Sequence, residues 1–228
     1  MQAHKTLAHQ ARAELIVKHS RFIGIVAPVE TEDEARMLIE QTRAEHPSAT
    51  HVCYAYRIKE GNRERYSDDG EPQSTAGRPI LFELASHELV NVICLVVRYF
   101  GGTLLGKGSL MRAYTQSTQA ALAETSIISM QPVIHLSIEV EYSHFETIKH
   151  LASNAGGHLM NAHFGSCVLL DIDFLSGTQE AFLSEVQELL GVSREELSVL
   201  MHEELCAWEE TAVTVETAEV DGLNENTQ

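Results

Sequence analysis

An almost unbroken run of Val, Ile and Leu between residues 91 and 99 places the strongest constraint on how this chain can fold. Apolar side chains alternate between the two faces of a strand, so the run predicts the central strand of a sheet covered on both sides. A glycine-rich segment follows, with Gly101, Gly102, Gly106 and Gly108. A buried strand that ends in flexible, charged backbone often leads into a binding site.

Residues 1–130 predict a mixed α and β domain in the order β-α-β-loop-α-β-α. The expected strands cover 22–27, 50–59 and 91–99, and the expected helices cover 32–45, 80–87 and 110–125. Thr31 and Glu34 have the spacing of a capping box at the start of the first helix. We expect residues 1–14 to form an adaptable start or a loose helix.

The second part of the chain predicts the order β-α-β-β-α with one further strand. The expected strands cover 133–142, 158–164 and 167–175, and the expected helices start after Ser143 and cover 179–190. Residues 197–205 are the best candidate for the last strand, although they also fit a helix. This order is typical of a ferredoxin-like domain. Met130, Gln131 and Pro132 predict a hinge before it.

The formal net charge of −17 is distributed unevenly along the chain. Residues 1–130 contribute −1 and residues 131–228 contribute −16, which indicates a domain boundary near residue 130. We therefore expect domains over 1–130 and 131–210, followed by an acidic, disordered tail over 211–228. The second domain should repel nucleic acid, so an anion-binding role is expected in the first.

The cysteines are widely spaced and form no C-x-x-C pair: they are Cys53, Cys94, Cys167 and Cys206. Reduced structural thiols are therefore favoured over disulfides or a zinc site. The N-terminal residues lack the apolar core of a signal peptide, and no apolar run reaches the ~20 residues that cross a bilayer. We expect a cytoplasmic protein with no membrane partner.

The glycine-rich segment is a near match to a phosphate-binding loop. Gly101, Gly106 and Lys107 fit the start of the pattern G-x-x-x-x-G-K-[ST] after a strand. Gly108 stands where the Mg²⁺-binding hydroxyl is required, and Ser109 comes one place late. The missing hydroxyl argues against a nucleoside-triphosphate site.

A dinucleotide-binding loop fits no better, because Met111 stands where a third glycine should allow close packing. Two interpretations of the segment stay open. It is a turn that needs glycine for its backbone shape alone, or it recognises an anion through free N–H groups together with Arg98, Lys107 and Arg112.

Asp68, Asp69 and Glu71 form a compact acidic loop. Carboxylates can hold a hard cation, but the spacing is not that of an EF-hand and no histidine is expected nearby. A solvated turn or ion pairs with arginine are favoured, and we predict no metal and no cofactor. The arginines available as partners are Arg65, Arg78, Arg98 and Arg112.

The hydroxyl and imidazole groups near these loops form no catalytic signature. Ser74, Thr75 and Ser109 lie in loops, and His51 and His87 have no known catalytic spacing relative to them. His51 opens a predicted strand, so we interpret it as a structural histidine. We predict no catalytic residues.

Four segments together resemble the YigZ/IMPACT family over about residues 15–125. They are SRFI at 20–23, THVCYAYR at 50–57, SDDGEP with STAGRPIL within 67–81, and NVICLVVRYFGGTLLGKGSLMRAY at 91–114. The resemblance implies an α+β protein with a ribosomal-protein-S5-domain-2-like first domain. It also implies a ferredoxin-like second domain similar to domain V of elongation factor G.

Eukaryotic IMPACT proteins act in translational control, so the resemblance implies a non-enzymatic regulator that binds RNA, the ribosome or a translation-related protein. The expected binding residues are Arg78, Arg98, Tyr99, Gly101, Gly102, Gly106, Lys107 and Arg112. The acidic loop of Asp68, Asp69 and Glu71 is expected to hold arginines through bidentate contacts. Two alternatives remain: an enzyme acting on a phosphorylated small molecule, and a pure protein-interaction module. We find no motif that reads DNA sequence, and the oligomeric state is not specified.

Overall fold

The computed structural model describes residues 2–197 and 199–207, and it has the expected mixed α+β structure. It divides into an N-terminal unit, Gln2–Gln131, and a C-terminal unit that begins at Pro132. The acidic tail predicted at 211–228 lies outside the described residues. In the described part of the chain, no helix is long and apolar enough to cross a membrane.

The N-terminal unit is built on one five-stranded antiparallel sheet in the order β2-β3-β6-β4-β5. Its elements are β1 (His4–Leu7), β2 (Ala11–Val17), β3 (Ser20–Pro28), α1 (Glu32–Glu45), β4 (His51–Ile58), β5 (Arg63–Ser67), α2 (Gly77–Ser86), β6 (Val92–Tyr99) and α3 (Lys107–Ala123). β6 lies in the middle of the sheet, as its apolar composition predicts.

β6 is buried because each face of the sheet carries its own hydrophobic core. Cys94 and Val96 pack into one core with residues of α2 and α3. Ile93 and Leu95 point to the other face and pack with residues of α1. Helices on both sides therefore explain why the run shows no polar alternation.

Helix α1 begins where the capping box predicts. The backbone N–H of Glu34 donates to Thr31 Oγ1 at 3.2 Å. The Glu34 carboxylate reaches back to the N–H of Glu30, at 2.7 Å, rather than to that of Thr31. The first bond satisfies a donor that the first helical turn leaves unpaired, and the second ties the residue before the N-cap to the helix.

The prediction of a loose helix over residues 1–14 is wrong, because β1 and β2 occupy this segment. β2 pairs with β3 as a hairpin in which Val17 lies opposite Ser20. The two turn residues, Lys18 and His19, have φ values of 44° and 68°. A two-residue hairpin requires positive φ values of this kind, which Asn and Gly usually supply. The turn therefore carries no recognisable sequence signal.

Other boundaries in the N-terminal unit also differ from the predictions. Strand β5 (Arg63–Ser67) follows a short 3-10 turn at Glu60–Asn62 and was not expected. Helices α2 and α3 each begin three residues before their predicted starts. The earlier starts lie at glycine-containing sequence, where intrinsic helix preference is low.

The C-terminal unit has the predicted element order. Its elements are the later part of β7 (Ile127–Val140), α4 (Phe145–Asn154), β8 (His158–Phe164), β9 (Val168–Leu175), α5 (Gln179–Leu190) and β10 (Val199–Ala207). The strand order is β10-β7-β9-β8. Alternate residues of β7 and β9 pack with α4 and α5 into a separate core. The last segment is a strand, so of its two readings the strand is correct.

The division between the two units falls within the predicted hinge, between Gln131 and Pro132. These residues lie in strand β7, whose first residues pair with β1 inside the N-terminal unit. One local prediction near the start of this unit is wrong. Ser143 does not cap α4, because the helix starts after His144 without a side-chain cap. All four cysteines are unpaired thiols.

Candidate functional site

The Asp68 side chain caps helix α2 from outside the helix. Its carboxylate accepts backbone N–H groups of Ser74 at 2.8 Å, Ala76 at 3.0 Å and Gly77 at 2.9 Å. A negative charge at this end also interacts favourably with the helix dipole. Asp68 pairs with no arginine among the described residues, so the predicted arginine contact is not formed at this position.

Asp69 ties the acidic loop to two other elements. One carboxylate oxygen lies 2.7 Å from Arg43 Nη2 on α1, and the other accepts the backbone N–H of Val52 on β4 at 2.7 Å. Arg43 was not among the arginines expected to pair here. The ion pair joins helix α1 to the acidic loop.

Glu71 and Arg98 form a buried ion pair. Arg98 Nη1 donates to Glu71 Oε1 at 2.6 Å, and their side chains are 6% and 3% exposed. The Tyr114 hydroxyl donates to the same carboxylate oxygen at 2.8 Å. The guanidinium carbon lies 5.4 Å from the centroid of the Phe22 ring and 5.5 Å from that of the Phe100 ring. The contact uses Nη1, so the predicted bidentate arrangement is not seen.

Cys53 and Tyr114 extend this buried network as neutral groups. Cys53 Sγ lies 3.3 Å from Tyr114 Oη and 3.0 Å from the carbonyl oxygen of Asp68. Burial raises the pKa of the Cys53 thiol. Burial, the Cys53 thiol and the Glu71 carboxylate raise the pKa of Tyr114. Neither group therefore adds charge to the network near neutral pH.

His51 contacts the acidic loop, so the expectation that no histidine lies near it is wrong. Its Nδ1 lies 2.7 Å from the carbonyl oxygen of Asp69 and donates to it. Its Nε2 lies 3.9 Å from Glu71 Oε2. In the sheet, His51 is opposite Arg98. The register of β4 against β6, which the sequence does not show, brings the histidine here.

A cavity of about 400 Å³ opens beside this network, and we call it the loop cavity. Its lining combines charged groups with a larger apolar surface. The lining residues are Thr50, His51, Glu71, Pro72, Arg98, Phe100, Leu104, Leu105, Gly106, Lys107 and Leu110. Leu104 is 85% exposed and Phe100 is 44% exposed. A pocket of this size and composition suits a group with an apolar body and a charged end.

Three of the four glycines in the segment are required by geometry. Gly102 and Gly106 have φ values of 82° and 76°, which other residues rarely adopt. A Cβ on Gly101 would lie 2.1 Å from the carbonyl carbon of His19. Gly108 has open space around it and an ordinary φ. The backbone-shape interpretation therefore accounts for Gly101, Gly102 and Gly106.

The start of helix α3 forms one wall of the loop cavity. Its N-cap residue, Gly106, makes no side-chain cap bond, so the first N–H groups keep their donor capacity. Lys107 is exposed at this end. Among the described residues, Lys107, Arg112 and Arg78 pair with no carboxylate. Positive charge and free N–H donors together favour an anion at this wall.

The structure brings some of the predicted binding residues to the cavity and places others elsewhere. Arg98, Gly106 and Lys107 line it, whereas Arg78, Tyr99, Gly101, Gly102 and Arg112 do not. The Tyr99 hydroxyl instead lies 2.8 Å from His46 Nδ1. Arg112 contacts Ser109 Oγ at 3.5 Å, one turn into α3. The apolar part of the cavity lining was not predicted. Nothing in the sequence indicates that Leu104 is exposed beside the cavity.

The N-terminal unit, which contains the loop cavity, is similar to a domain found in a known protein family. Residues 18–122, which lie within this unit and include every residue that lines the cavity, match the family model of the Impact N-terminal domain. The chain is 32% identical over 191 residues to the IMPACT family member YigZ of Escherichia coli (strain K12). This match covers 82% of the chain and 92% of the relative. The chain belongs to the IMPACT family, as its sequence motifs predict.

Two further comparisons extend this finding. The protein IMPACT homolog of Dictyostelium discoideum is 36% identical over 94 residues, covering 39% of this chain and 27% of that protein. A crystal structure of a hypothetical protein superposes with a TM-score of 0.57 at 30% identity. It covers 88% of this chain and 97% of its own. The likeness therefore extends across both units to a solved structure.

Proposed function

We propose that this protein is a non-enzymatic, cytoplasmic regulator of translation that binds RNA, free or within the ribosome, through the loop cavity. Family membership supports the link to translation, because eukaryotic IMPACT proteins act in translational control. We further propose an S5-domain-2-like N-terminal unit and a ferredoxin-like C-terminal unit. The strand order β10-β7-β9-β8, with two helices, supports the second assignment.

The observation that carries the RNA proposal is that one positive side chain at the cavity is neutralised inside the protein while another is exposed and, among the described residues, unpaired. Arg98 is neutralised by Glu71 inside the protein, so it adds little net charge for a ligand. Lys107 is exposed, and no side chain caps the first N–H groups of α3, so both are suited to a phosphate. The exposed ring of Phe100, on the same cavity, can stack on a base. A nucleotide combines a phosphate with a flat base, so it suits both groups.

Binding of a labelled single-stranded RNA, measured by filter retention over a range of salt concentrations, tests this proposal. Each phosphate contact contributes about 0.7 to the slope of log affinity against log salt. We expect the paired change of Lys107→Ala and Arg112→Ala to weaken binding and to lower this slope by about 1 to 1.5. Arg12→Ala, an exposed arginine on β2, is the matched control and should change neither quantity.

Two results would overturn the RNA proposal. One is an affinity that does not depend on salt. The other is equal binding by the unmodified protein and the Lys107→Ala, Arg112→Ala variant. Sedimentation with ribosomes, using the same variants, separates binding to free RNA from binding to the assembled particle.

The exposed apolar side chains at the loop cavity, Leu104 and Phe100, form an apolar rim. This rim favours a second candidate, a translation-related protein partner. Leu104 is 85% exposed although it borders an apolar cavity, and such surfaces often accept an apolar side chain from a partner. This candidate predicts no RNA affinity but a pulldown partner that is lost in Leu104→Asp. Retention of the partner by that variant would remove the apolar rim as its docking site.

Action on a phosphorylated small molecule is the remaining alternative. It needs Asp68 or Asp69 as a base or metal ligand, but these carboxylates already accept backbone N–H groups or pair with Arg43. A panel of nucleotides and sugar phosphates with Mg²⁺, read by thermal shift, tests it. A ligand present at 100 times its Kd should stabilise the protein by about 2.7 kcal/mol.

A further inference from the structure

Three side chains that favour transition metals converge in the C-terminal unit. They are His135 on β7 and Glu204 and Cys206 on β10. Their ligand atoms all lie within 4.8 Å of one another. His135 Nε2 is 3.7 Å from Glu204 Oε2 and 3.7 Å from Cys206 Sγ. In the part of the chain that the structure describes, no other group of three such residues meets this criterion.

Two adjacent strands bring these residues together. β10 pairs with β7, and Glu204 and Cys206 are two residues apart, so they point to the same face of β10. His135 is 71 residues from Cys206 in sequence, which explains why the cysteine spacing gave no indication of a metal site. His202, on the same face as Glu204, stacks on the His135 ring with 4.6 Å between ring centroids.

The imidazole of His135 is already oriented for metal binding. Its Nδ1 lies 2.7 Å from Asp173 Oδ1, and Asp173 is directly opposite on β9. Nδ1–H donates to this carboxylate, which leaves the lone pair of Nε2 directed at Glu204 and Cys206. Histidine ligands of metals almost always donate the other ring N–H to a carboxylate, a backbone carbonyl or water.

We propose that His135, Glu204 and Cys206 form a binding site for Zn²⁺, with Asp173 as the positioning residue. Zinc accepts nitrogen, thiolate and carboxylate ligands in a tetrahedron with bonds of about 2.0–2.3 Å. This geometry places nitrogen and sulfur about 3.5 Å apart, close to the observed 3.7 Å. Mg²⁺ and Ca²⁺ fit less well, because they prefer oxygen ligands alone.

Zinc binding at this site releases one proton and links two strands. The Cys206 thiol loses its proton as the Zn–S bond forms, and the proton passes to solvent. Three protein ligands leave a fourth position for water. Because the ligands come from β7 and β10, the metal joins the last described strand to its neighbour and stabilises the folded C-terminal unit. This inference is independent of the RNA-binding proposal and concerns a different unit.

Titration of the tag-free, chelator-treated full chain with Co²⁺, which replaces Zn²⁺ and absorbs light, tests the site. We expect a thiolate-to-Co²⁺ charge-transfer band and the visible bands of a four-coordinate ion, both abolished by added Zn²⁺. Cys206→Ala should lose the charge-transfer band. Cys167→Ala, a half-buried cysteine of the same unit, is the matched control and should keep it.

Zinc affinity separates ligands from the positioning residue. His135→Gln should weaken Zn²⁺ binding at least 100-fold, and Asp173→Asn should weaken it about 10- to 100-fold while keeping the Co²⁺ charge-transfer band. His163→Gln, an exposed histidine on β8, should leave the affinity unchanged. Equal binding by the His135→Gln variant and the unmodified protein would overturn the site.

A second measurement uses the unmodified protein and does not depend on how the variants fold. Equimolar Zn²⁺ should slow alkylation of Cys206 at least 10-fold, measured by mass spectrometry of the labelled peptide, while Cys167 reacts at its metal-free rate. Equal protection of both thiols, or of neither, would show that the three side chains form only a hydrogen-bonded cluster.

Discussion

Arg98 is held by contacts that a shorter side chain cannot make. Its charge is paired with Glu71, and its guanidinium contacts the rings of Phe22 and Phe100. The family motif therefore contains at least one arginine whose primary contacts are internal. Loss of binding in an Arg98 variant would consequently report on folding as well as on recognition. Lys107, which lines the cavity, and the exposed Arg112 further along α3 are therefore the better probes of binding.

Arg98→Ala should lower the free energy of unfolding by about 3–5 kcal/mol, because it leaves the Glu71 carboxylate buried without its partner. Urea denaturation of the full chain measures this loss. Arg21→Ala breaks an exposed pair with Glu14 and should have little effect. The double change of Arg98→Met and Glu71→Leu should recover part of the loss. A destabilisation below about 1 kcal/mol would contradict the structural role of the pair.

Tyr114 should make stability sensitive to alkaline pH. Its pKa is raised by burial, by Cys53 and by Glu71, so above about pH 10 the unfolded chain loses a phenol proton that the folded chain keeps. The stability that Tyr114 contributes is then fully present below about pH 10 and falls above it, by up to about 1.4 kcal/mol per pH unit.

Tyr114→Phe removes this proton and should reduce the slope of unfolding free energy against pH above about pH 10 by the same amount. Urea titrations at several alkaline pH values measure the slope. Tyr66→Phe, a change at an exposed tyrosine on β5, is the control and should leave it unaltered. Identical slopes for Tyr114→Phe and the unmodified protein would contradict the burial argument.

At the scale of elements, the glycine before helix α3 and the glycine inside it should respond differently to substitution. Gly108→Ala adds a side chain in open space within the first helical turn and should stabilise the protein by about 0.4–1 kcal/mol. Gly101→Ala places a Cβ against the backbone of His19 and should destabilise it by about 1–3 kcal/mol. Thermal or urea unfolding measures both, and equal effects of the two changes would contradict the assignment.

The elements that were predicted correctly have strong local signals. The apolar run defines β6, the capping box defines α1, and Gly165 and Ser166 mark the turn between β8 and β9. β1 and β2 were missed because their stability comes from pairing with distant strands, which local preference does not report. The partners of the acidic loop were missed for the same reason, since strand register and helix packing select them.

The candidate site was predicted only in part because it is assembled from distant segments. Arg98, Gly106 and Lys107 are close in sequence and were identified together. His51 and Leu110 reach the same cavity from β4 and from the second turn of α3. The proposed metal ligands are the least predictable from the sequence, because two strands far apart in the chain must pair before the ligands come together.

At the scale of the whole molecule, the charge asymmetry should regulate binding. Residues 1–130 contribute −1 to the net charge and residues 131–228 contribute −16. If RNA binds the N-terminal unit, the acidic half repels it, and salt screens this repulsion over about 10 Å at 0.1 M. The full chain should therefore bind RNA less tightly than its N-terminal unit at low salt.

A protein comprising residues 2–131 tests this expectation, because these residues contain both cores of the N-terminal unit. Circular dichroism first establishes that it folds. At low salt we expect about tenfold tighter RNA binding than for the full chain, and near-equal affinity at 1 M salt, where screening acts over about 3 Å. The same fragment with Lys107→Ala is the control for site-specific binding. A constant ratio at all salt concentrations would contradict electrostatic regulation.

The buried pair of Glu71 and Arg98 also has a consequence for cooperativity. Glu71 belongs to the acidic loop, Arg98 to the central strand, and Tyr114, which donates to Glu71, to helix α3. Displacing any one of the three elements leaves a charge or a hydroxyl without its partner in an apolar interior. The loop, the strand and the helix should therefore exchange their amide hydrogens as one unit, so that the walls of the cavity open together rather than by local fraying.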